Sequence, residues 1–252
     1  NLISIEWIRK CRNLNQFDFL IIPGSKQTIK DQIFLEESGL SKEIREYSKN
    51  NGNIFGICGG LQMLGEILED PFLKEGSNDN SDQKIKGIGL LPLKTIFLKN
   101  KKTRQITTKA NWPCKTEVNG YEIHNGITEI DKSQNTSKIK PIFKEQNLGW
   151  YLENGDGGII GGTYIHGIFE NDLWRHTYIN LLRKKKNLPE LINIKEPYKI
   201  KREAIIDKHS GMVIRKIDYS TDEGFDPMGF AINSRDIMED KIKTEEQSHT
   251  NP

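Results

Sequence analysis

The chain has 252 residues, of which 37 are lysine or arginine and 35 are aspartate or glutamate, so its formal net charge is only +2. The two signs are mixed along the sequence, which argues against a nucleic-acid partner, and no apolar stretch approaches the ~20 residues that a membrane helix needs. With no signal-peptide pattern at its start, the sequence predicts a cytoplasmic protein with one main domain.

The first part of the chain alternates apolar runs with helical patterns. The run FDFLII (17–22) ends at a Pro-Gly pair (23–24) and predicts a buried parallel strand with its exit turn. A helical pattern follows in TIKDQIFLEESGL (28–40), then a second strand in GNIFGI (52–57) and a second helix in LQMLGEIL (61–68). Strand, helix, strand, helix predicts an α/β protein, with a parallel sheet that helices cover on both faces.

The middle of the chain has a different character. GIGLLPLKTIFL (87–98) and TEVNGYEIH (116–124) predict short β segments, and the polar stretch Lys99–Lys109 between them predicts an exposed hairpin or loop. Parallel strands are expected to resume in GGIIGGTYIHG (157–167), and a helix follows in NDLWRHTYINLLRKKK (171–186).

Domain boundaries are expected near both ends of the sequence. The apolar pattern in the first residues, which start at Asn1, predicts that an N-terminal strand and an upstream domain precede them. Residues 1–207 are expected to form the main domain. Residues 208–252 are polar and without period, so we expect an extension that is partly disordered.

Cys58 lies at the junction of a predicted strand and a predicted helix, between Gly56 and Gly59. Small residues around a strand-to-helix turn are typical of a nucleophile elbow. A helix N-terminus favours the thiolate, and the N–H of Gly59 is available to a developing oxyanion. A lone cysteine in an apolar strand is more often a packing residue. We interpret Cys11 and Cys114 in that way, whereas the glycines favour a nucleophile at Cys58.

A thiolate that carries out acyl transfer needs a base that moves a proton to the leaving group. His124 and His166 end apolar, β-like runs, and His166 precedes Gly167, as expected for a side chain at the carboxyl edge of a sheet. The other histidines lie in polar helical or tail segments and are interpreted as surface residues; they are His176, His209 and His249. No CxxC pair indicates a metal site.

Five segments in this order resemble the glutamine amidotransferase domain of cobyric acid synthase, an enzyme of cobalamin biosynthesis. They are FLIIPGSKQTIKD, GICGGLQMLG, GIGLLPLKT, GYEIHNG and GTYIHGIFENDLWR. The resemblance covers residues 1 to about 190. It implies a class I-like glutaminase with a flavodoxin-like, mostly parallel sheet, helices on both faces and an inserted β-rich middle segment.

The resemblance also implies roles for individual residues. Cys58 would attack the side-chain amide of glutamine, form a γ-glutamyl thioester and release ammonia, and His166 would act as general base and acid. Gly24 and Gly59 would offer oxyanion-hole N–H groups. Gln62 matches a position that contacts the substrate glutamine in this superfamily.

Some positions depart from the usual class I pattern. Ile168 stands where ordinary triads carry a glutamate, as in the cobyric acid synthase branch, which resembles a Cys-His dyad. Glu122, Glu170 and His124 are therefore only candidates for an accessory role. Leu61 replaces the usual aromatic residue before the glutamine.

The implied ammonia acceptor lies outside this sequence. The family's ligase amidates carboxylates b, d, e and g of adenosylcobyrinic acid a,c-diamide with ATP. The chain has no GxxxxGK[ST] loop, and PGSKQT lacks that ending, so ATP and Mg are expected in an upstream synthetase domain and no cofactor in this chain. The expected partners are glutamine, that domain and the corrinoid acceptor.

Three alternatives stay open. The amidotransferase subunit of lipid II isoglutaminyl synthase shares a GICGG elbow and a GTYxHG histidine, although GIFEND after His166 favours the cobyric acid branch. Cobyrinic acid a,c-diamide synthase is a second sibling, less similar around the histidine. An inactive scaffold of the same fold is the third.

Overall fold

A computed structural model describes residues 3–75, 83–154, 157–191, 197–198, 200 and 202–203. The described residues up to 200 belong to one compact unit. The expected extension at 208–252 lies outside the described residues, so the boundary at 207 stays a prediction.

The described residues form short helices and two sheets. In chain order the elements are β1 (Leu20–Ile22), α1 (Thr28–Glu37), α2 (Leu40–Lys49), β2 (Ile54–Ile57), α3 (Gly59–Leu64), β3 (Ile67–Glu69), β4 (Lys84–Lys86), β5 (Leu93–Ala110), β6 (Thr116–Ile130), β7 (Lys140–Pro141), β8 (Gly149–Asn154), β9 (Gly158–Thr163), β10 (Ile165–His166), a short 3-10 helix (Ile168–Glu170) and α4 (Asp172–Lys185). Within these ranges, no helix has both the length and the apolar character needed to cross a membrane.

The first sheet contains the parallel strands that the sequence predicted. Its order is β1-β2-β9-β8-β7, in which β1, β2 and β9 are parallel, and β8 and β7 extend one side antiparallel. Every residue of β2 and β9 is buried. Continuous burial is what a strand covered on both faces requires, which explains why these strands appear in the sequence as unbroken apolar and glycine runs.

Helices cover both faces of this sheet. On β2, Ile54 points into a core that includes Ile29 of α1 and Leu61 of α3. Its neighbour Phe55 points to the opposite face and packs with Trp174 of α4. Successive side chains of a strand alternate between faces, so β2 separates the two cores. The predicted α/β class, with helices on both faces, is confirmed.

The β-rich middle segment builds a second sheet. Its order is β10-β6-β5-β3-β4, and a long antiparallel hairpin of β5 and β6 forms its centre. Phe97 of β5 packs into the first core, whereas Ile106 of β5 and Val118 of β6 pack into the second. The hairpin therefore packs against both cores. The short strand β10 directly follows β9 and pairs with β6, so it joins the hairpin to the carboxyl end of β9.

Of the two alternatives predicted for Lys99–Lys109, an exposed hairpin or a loop, the loop was wrong, because these residues form one arm of an antiparallel hairpin. These residues continue strand β5 and pair with β6 after an irregularity in register between Ile96 and Lys101. Side chains 99–105 are exposed. An antiparallel ladder satisfies the main chain and leaves side chains free to face water, so a polar composition here did not indicate a loop.

The helix predicted at residues 61–68 is also shorter than expected. It ends at Leu64, and Ile67 and Leu68 belong to β3, which pairs with β5. The chain turns at Gly65, where a Cβ would lie 2.8 Å from the carbonyl oxygen of Leu93. The close approach of β5 therefore ends the helix. The helix predicted at 28–40 stops at Glu37, and α2 was not predicted.

A stability prediction follows from the aromatic residues under α4. Trp174 is fully buried, stacks on Tyr178 with 5.3 Å between ring centroids, and donates a hydrogen bond from Nε1 to the Trp112 carbonyl at 3.0 Å. Trp174→Ala is expected to lower the free energy of unfolding by about 3–5 kcal/mol because it leaves a cavity and an unpaired carbonyl. Urea unfolding measures the change. Leu173→Ala, on the exposed side of the same helix, is the control. Equal losses in both variants would contradict the prediction.

Candidate active site

Cys58 occupies a tight turn between β2 and α3. Its backbone has φ 51° and ψ −110°, a conformation that is strained for a residue with a side chain. The turn leaves no room around it: a Cβ at Gly56 would lie 2.5 Å from Gly60 C, and a Cβ at Gly60 would lie 2.0 Å from Ile22 O. The glycines therefore let α3 begin directly against the sheet and hold the cysteine at its edge. This is the geometry of a nucleophile elbow.

The thiol and the imidazole of His166 meet at one main-chain oxygen. Cys58 Sγ donates to the carbonyl of Ile123 at 3.2 Å, and His166 Nε2 donates to the same oxygen at 3.0 Å. Strand β10 places His166 opposite Tyr121 of β6, which brings its ring over the end of β2. Two side chains that are distant in the sequence thus lie within reach of one another.

Two glycines border the thiol. A Cβ at Gly24, in the loop after β1, would lie 3.7 Å from Cys58 Cβ and 3.8 Å from His166 Cε1. A Cβ at Gly59 would lie 2.9 Å from the amide nitrogen of Ser25 in the same loop. The loop after β1 and the start of α3 therefore pack tightly together beside the thiol.

Gln62 lies one turn along α3 from the cysteine. Its side chain is buried, donates from Nε2 to the carbonyl of Asn125 at 2.9 Å and accepts at Oε1 from Thr28 Oγ1 at 3.4 Å. The structure thus brings together five residues singled out from the sequence: Gly24, Cys58, Gly59, Gln62 and His166. Cys58 is only 7% exposed, because β6 crosses the site at residues 123–125.

Glu122 and His124 form a separate network on β6. Glu122 accepts from Lys102 at 2.7 Å, from Arg104 at 2.5 Å and from His124 Nε2 at 3.0 Å. Burial acts to raise the pKa of Glu122, but these donors outweigh it and hold the pKa below its usual value. Burial lowers the pKa of His124, which stacks on Tyr164 at 3.8 Å between ring centroids. The pair joins β6 to β5 and supports the strand that covers the thiol.

Glu170 is the exposed last residue of the 3-10 helix after His166. The intervening Gly167 has φ +79°, and a Cβ there would lie 3.7 Å from Glu170 Cδ. The chain therefore reverses directly after His166, and the glutamate side chain folds back toward Gly167.

Other contacts at the site were not predicted from the sequence. They come from Ile123, Asn125, Thr28 and Glu75. Ile123 and Asn125 act through main-chain oxygens, which leave no mark on a side-chain pattern. Glu75 lies in a polar loop, and nothing near it in the sequence distinguishes it from a surface carboxylate. In the described ranges, no cluster of three or more His, Cys, Asp or Glu is arranged to hold a metal ion.

The family assignment rests on a comparison of the sequence with known protein families. The profile of the CobB/CobQ-like glutamine amidotransferase domain matches residues 2–174. The chain belongs to the CobB/CobQ-like glutamine amidotransferase family. Because residues 2–174 include both Cys58 and His166, the whole candidate site lies within the matched part of this amidotransferase domain.

Curated relatives of this amidotransferase domain carry the name cobyric acid synthase. The chain is 68% identical over 205 residues to that of Prochlorococcus marinus strain MIT 9301, 68% over 208 residues to that of strain MIT 9515, and 47% over 205 residues to that of strain NATL2A. The first match covers 81% of this chain and 40% of the relative. The chain thus spans about two fifths of the length of these relatives. The resemblance to the amidotransferase domain of cobyric acid synthase is confirmed.

Solved structures similar to this chain include the following two. One is a crystal structure of a glutamine amidotransferase, with a TM-score of 0.49 and 14% identity, covering 72% of this chain and 87% of that chain. The other is PurLQS from Thermotoga maritima, with a TM-score of 0.48 and 12% identity, covering 71% of this chain and 85% of that chain.

Proposed function

We propose that Cys58 and His166 act as a catalytic dyad that hydrolyses the side-chain amide of glutamine. With glutamine in the place of the Ile123 carbonyl and the ring proton on Nδ1, the thiol gives its proton to Nε2 of His166, and Sγ attacks the amide carbon. His166 returns the proton to the leaving nitrogen, so ammonia departs and a γ-glutamyl thioester remains. Water, deprotonated by the same imidazole, then cleaves the thioester to glutamate and restores the thiol.

The observation that carries the proposal is the shared oxygen of Ile123, which brings Cys58 Sγ and His166 Nε2 to one point. Gly24 and Gly59 border that point, and their N–H groups are proposed to stabilise the oxyanion of the tetrahedral intermediate. Gln62 is proposed to contact the bound glutamine. The residues proposed for these roles lie on the elbow around Cys58, on α3 or on the loop after β1, beside the thiol.

We further propose that the ammonia serves the reaction of the whole protein. The relatives carry the name cobyric acid synthase, which supports this role. The proposed acceptors are carboxylates b, d, e and g of adenosylcobyrinic acid a,c-diamide. ATP and Mg would be bound by a synthetase domain in the part of the longer relatives that this chain does not span. We also propose a cytoplasmic location, since the three cysteines Cys11, Cys58 and Cys114 are odd in number and far apart in the sequence, which does not indicate a disulfide framework.

A glutamine-shaped electrophile tests the dyad. We expect diazo-oxo-norleucine to modify Cys58, located by peptide mass spectrometry, although Cys58 is buried and Cys11 is exposed. Iodoacetamide, which has no glutamine shape, is the matched control and is expected to modify Cys11 first. If diazo-oxo-norleucine modifies Cys58 first and iodoacetamide modifies Cys11 first, the difference reports recognition of the glutamine shape at Cys58.

Two outcomes would count against the proposal. Diazo-oxo-norleucine could leave Cys58 unmodified in folded protein, which favours an inactive scaffold. Diazo-oxo-norleucine could also modify the exposed Cys11 before the buried Cys58. Its reaction would then depend on exposure alone and give no evidence for a glutamine site. Excess glutamine should protect Cys58 from the reagent and leave the labelling of Cys11 unchanged.

A further inference from the structure

Glu75 is a buried carboxylate near the site that has no role in the proposed chemistry. Its side chain is only 4% exposed. Asp70, also buried, accepts from the main-chain N–H groups of Lys74 and Glu75 at 2.9 and 2.8 Å and so shapes the loop after β3. Burial raises the pKa of Glu75, and the charge of Asp70 adds to the effect. A buried carboxylate must be held by hydrogen-bond donors, so the groups that donate to Glu75 show what it connects.

The two oxygens of Glu75 join two different elements around the site. Oε2 accepts from the main-chain N–H of Thr28, the first residue of α1, at 2.6 Å. Oε1 accepts from Asn125 Nδ2 on β6 at 3.4 Å. Glu75 therefore connects the helix that follows the Gly24 loop to the strand that covers the thiol.

Both partners of Glu75 also hold the side chain of Gln62. Thr28 Oγ1 donates to Gln62 Oε1 at 3.4 Å, and Gln62 Nε2 donates to the Asn125 carbonyl at 2.9 Å. Four residues thus form a closed ring of hydrogen bonds in which Glu75 and Gln62 face each other across Thr28 and Asn125. Losing Glu75 frees both residues that orient Gln62, whereas the contacts of Cys58 and His166 with Ile123 do not pass through it.

We propose that Glu75 is a positioning residue that sets the affinity of the domain for glutamine by fixing the orientation of Gln62. The inference rests on the proposed function, since it assumes that Gln62 contacts bound glutamine. Glu75 itself touches neither the thiol nor the imidazole in this role.

Steady-state kinetics of glutamate release test the proposal in the full protein. Glu75→Ala is expected to raise KM for glutamine roughly tenfold, the effect of losing one to two oriented hydrogen bonds, and to change kcat by less than about threefold. A role in folding alone would give the opposite pattern. It would lower the amount of active enzyme, and so the apparent kcat, and leave KM unchanged.

Exchanging the carboxylate and the amide between positions 75 and 125 is expected to restore KM for glutamine. In Glu75→Gln the amide oxygen still accepts from Thr28, but its NH₂ group opposes the NH₂ group of Asn125, so KM is expected to rise. In the double variant Glu75→Gln with Asn125→Asp, the new carboxylate accepts from the new amide, and KM is expected to return to within about threefold of wild type. Glu69→Gln is the control, because this half-buried carboxylate pairs with Lys84 and Lys94 on β4 and β5.

The outcomes separate the two proposals. If wild-type protein is labelled at Cys58 by diazo-oxo-norleucine but the Glu75 variants keep the KM and labelling rate of wild type, the inference about Glu75 fails alone. It also fails if the double variant is no better than Glu75→Gln. If wild-type protein is neither labelled nor active, the proposed function fails first. Should Glu75→Ala not fold, Glu75→Gln and the double variant still decide the matter.

Discussion

Replacement of Cys58 by serine is expected to lower the rate of glutamine hydrolysis about a thousandfold or more, with no loss of fold. Serine has nearly the same size, tolerates the same turn, and its hydroxyl can donate to the Ile123 carbonyl as the thiol does. A hydroxyl stays protonated near neutral pH, whereas a thiol has an ordinary pKa of about 8.5 and forms a strong nucleophile. Glutamate release measures the rate, and circular dichroism with a urea midpoint measures the fold.

Cys114→Ser is the matched control for this substitution. Cys114 is half-buried and is not among the residues described around Cys58, so its variant should hydrolyse glutamine at the wild-type rate. Diazo-oxo-norleucine should label the Cys114→Ser variant at Cys58 and leave the Cys58→Ser variant unlabelled. Retention of full activity by Cys58→Ser would show that another group attacks the amide.

The second large effect is expected at His166. His166→Ala removes the group proposed to take the thiol proton and return it to the leaving nitrogen, so kcat is expected to fall roughly a hundredfold to ten-thousandfold. The fold is expected to persist, because His166 is half-buried and its strand β10 pairs with β6 through the main chain. Single-turnover formation of the thioester separates this loss from a change in glutamine binding.

His176→Ala is the control for the imidazole. His176 lies on α4, on the far side of the sheet from the helices α1–α3, and its removal should leave kcat and KM unchanged. If His166→Ala retained wild-type kcat, the dyad would be wrong and the base would have to come from another group at the site. The pair Glu122 and His124 would be the next candidates, since they lie on the strand that carries Ile123.

Much of the first sheet could be predicted because its strands can be recognised from their own residues. β2 and β9 are buried on both faces, so each appears as an unbroken apolar or glycine-rich run, and the partly buried β1 lies in a similar apolar run. α4 carries its own signal too, from Asp172 at its start to a run of basic residues in its last turn. Elements of this kind do not depend on a distant partner to be recognised.

The second sheet was less predictable because its strands are defined by partners far along the chain. Ile67 and Leu68 continue the spacing of the preceding helix, and only pairing with β5 makes them a strand. Except for Ile106, the residues from Lys101 to Lys109 have polar side chains, and only the ladder with β6 shows that they are not a loop. Local composition says nothing about such pairings.

The candidate site also combines features that the sequence predicts with features that it does not predict. The elbow around Cys58 and the histidine at the end of an apolar run are local patterns, and the structure places Cys58 and His166 on one carbonyl oxygen. The ring through Glu75 and Asn125 joins four segments, and half of its bonds involve main-chain groups. Main-chain donors and acceptors are the same at every position, so no residue pattern predicts them.

The Ile123 carbonyl has a consequence for how glutamine gains entry. A peptide carbonyl resembles a carboxamide, so at the proposed dyad the Ile123 carbonyl occupies the place where the amide of glutamine would bind. Glutamine that binds there would displace this internal competitor, so its apparent affinity equals the intrinsic affinity multiplied by the fraction of molecules in which the strand has moved aside. Any contact that draws residues 123–125 away from the thiol would strengthen glutamine binding without touching either reacting side chain.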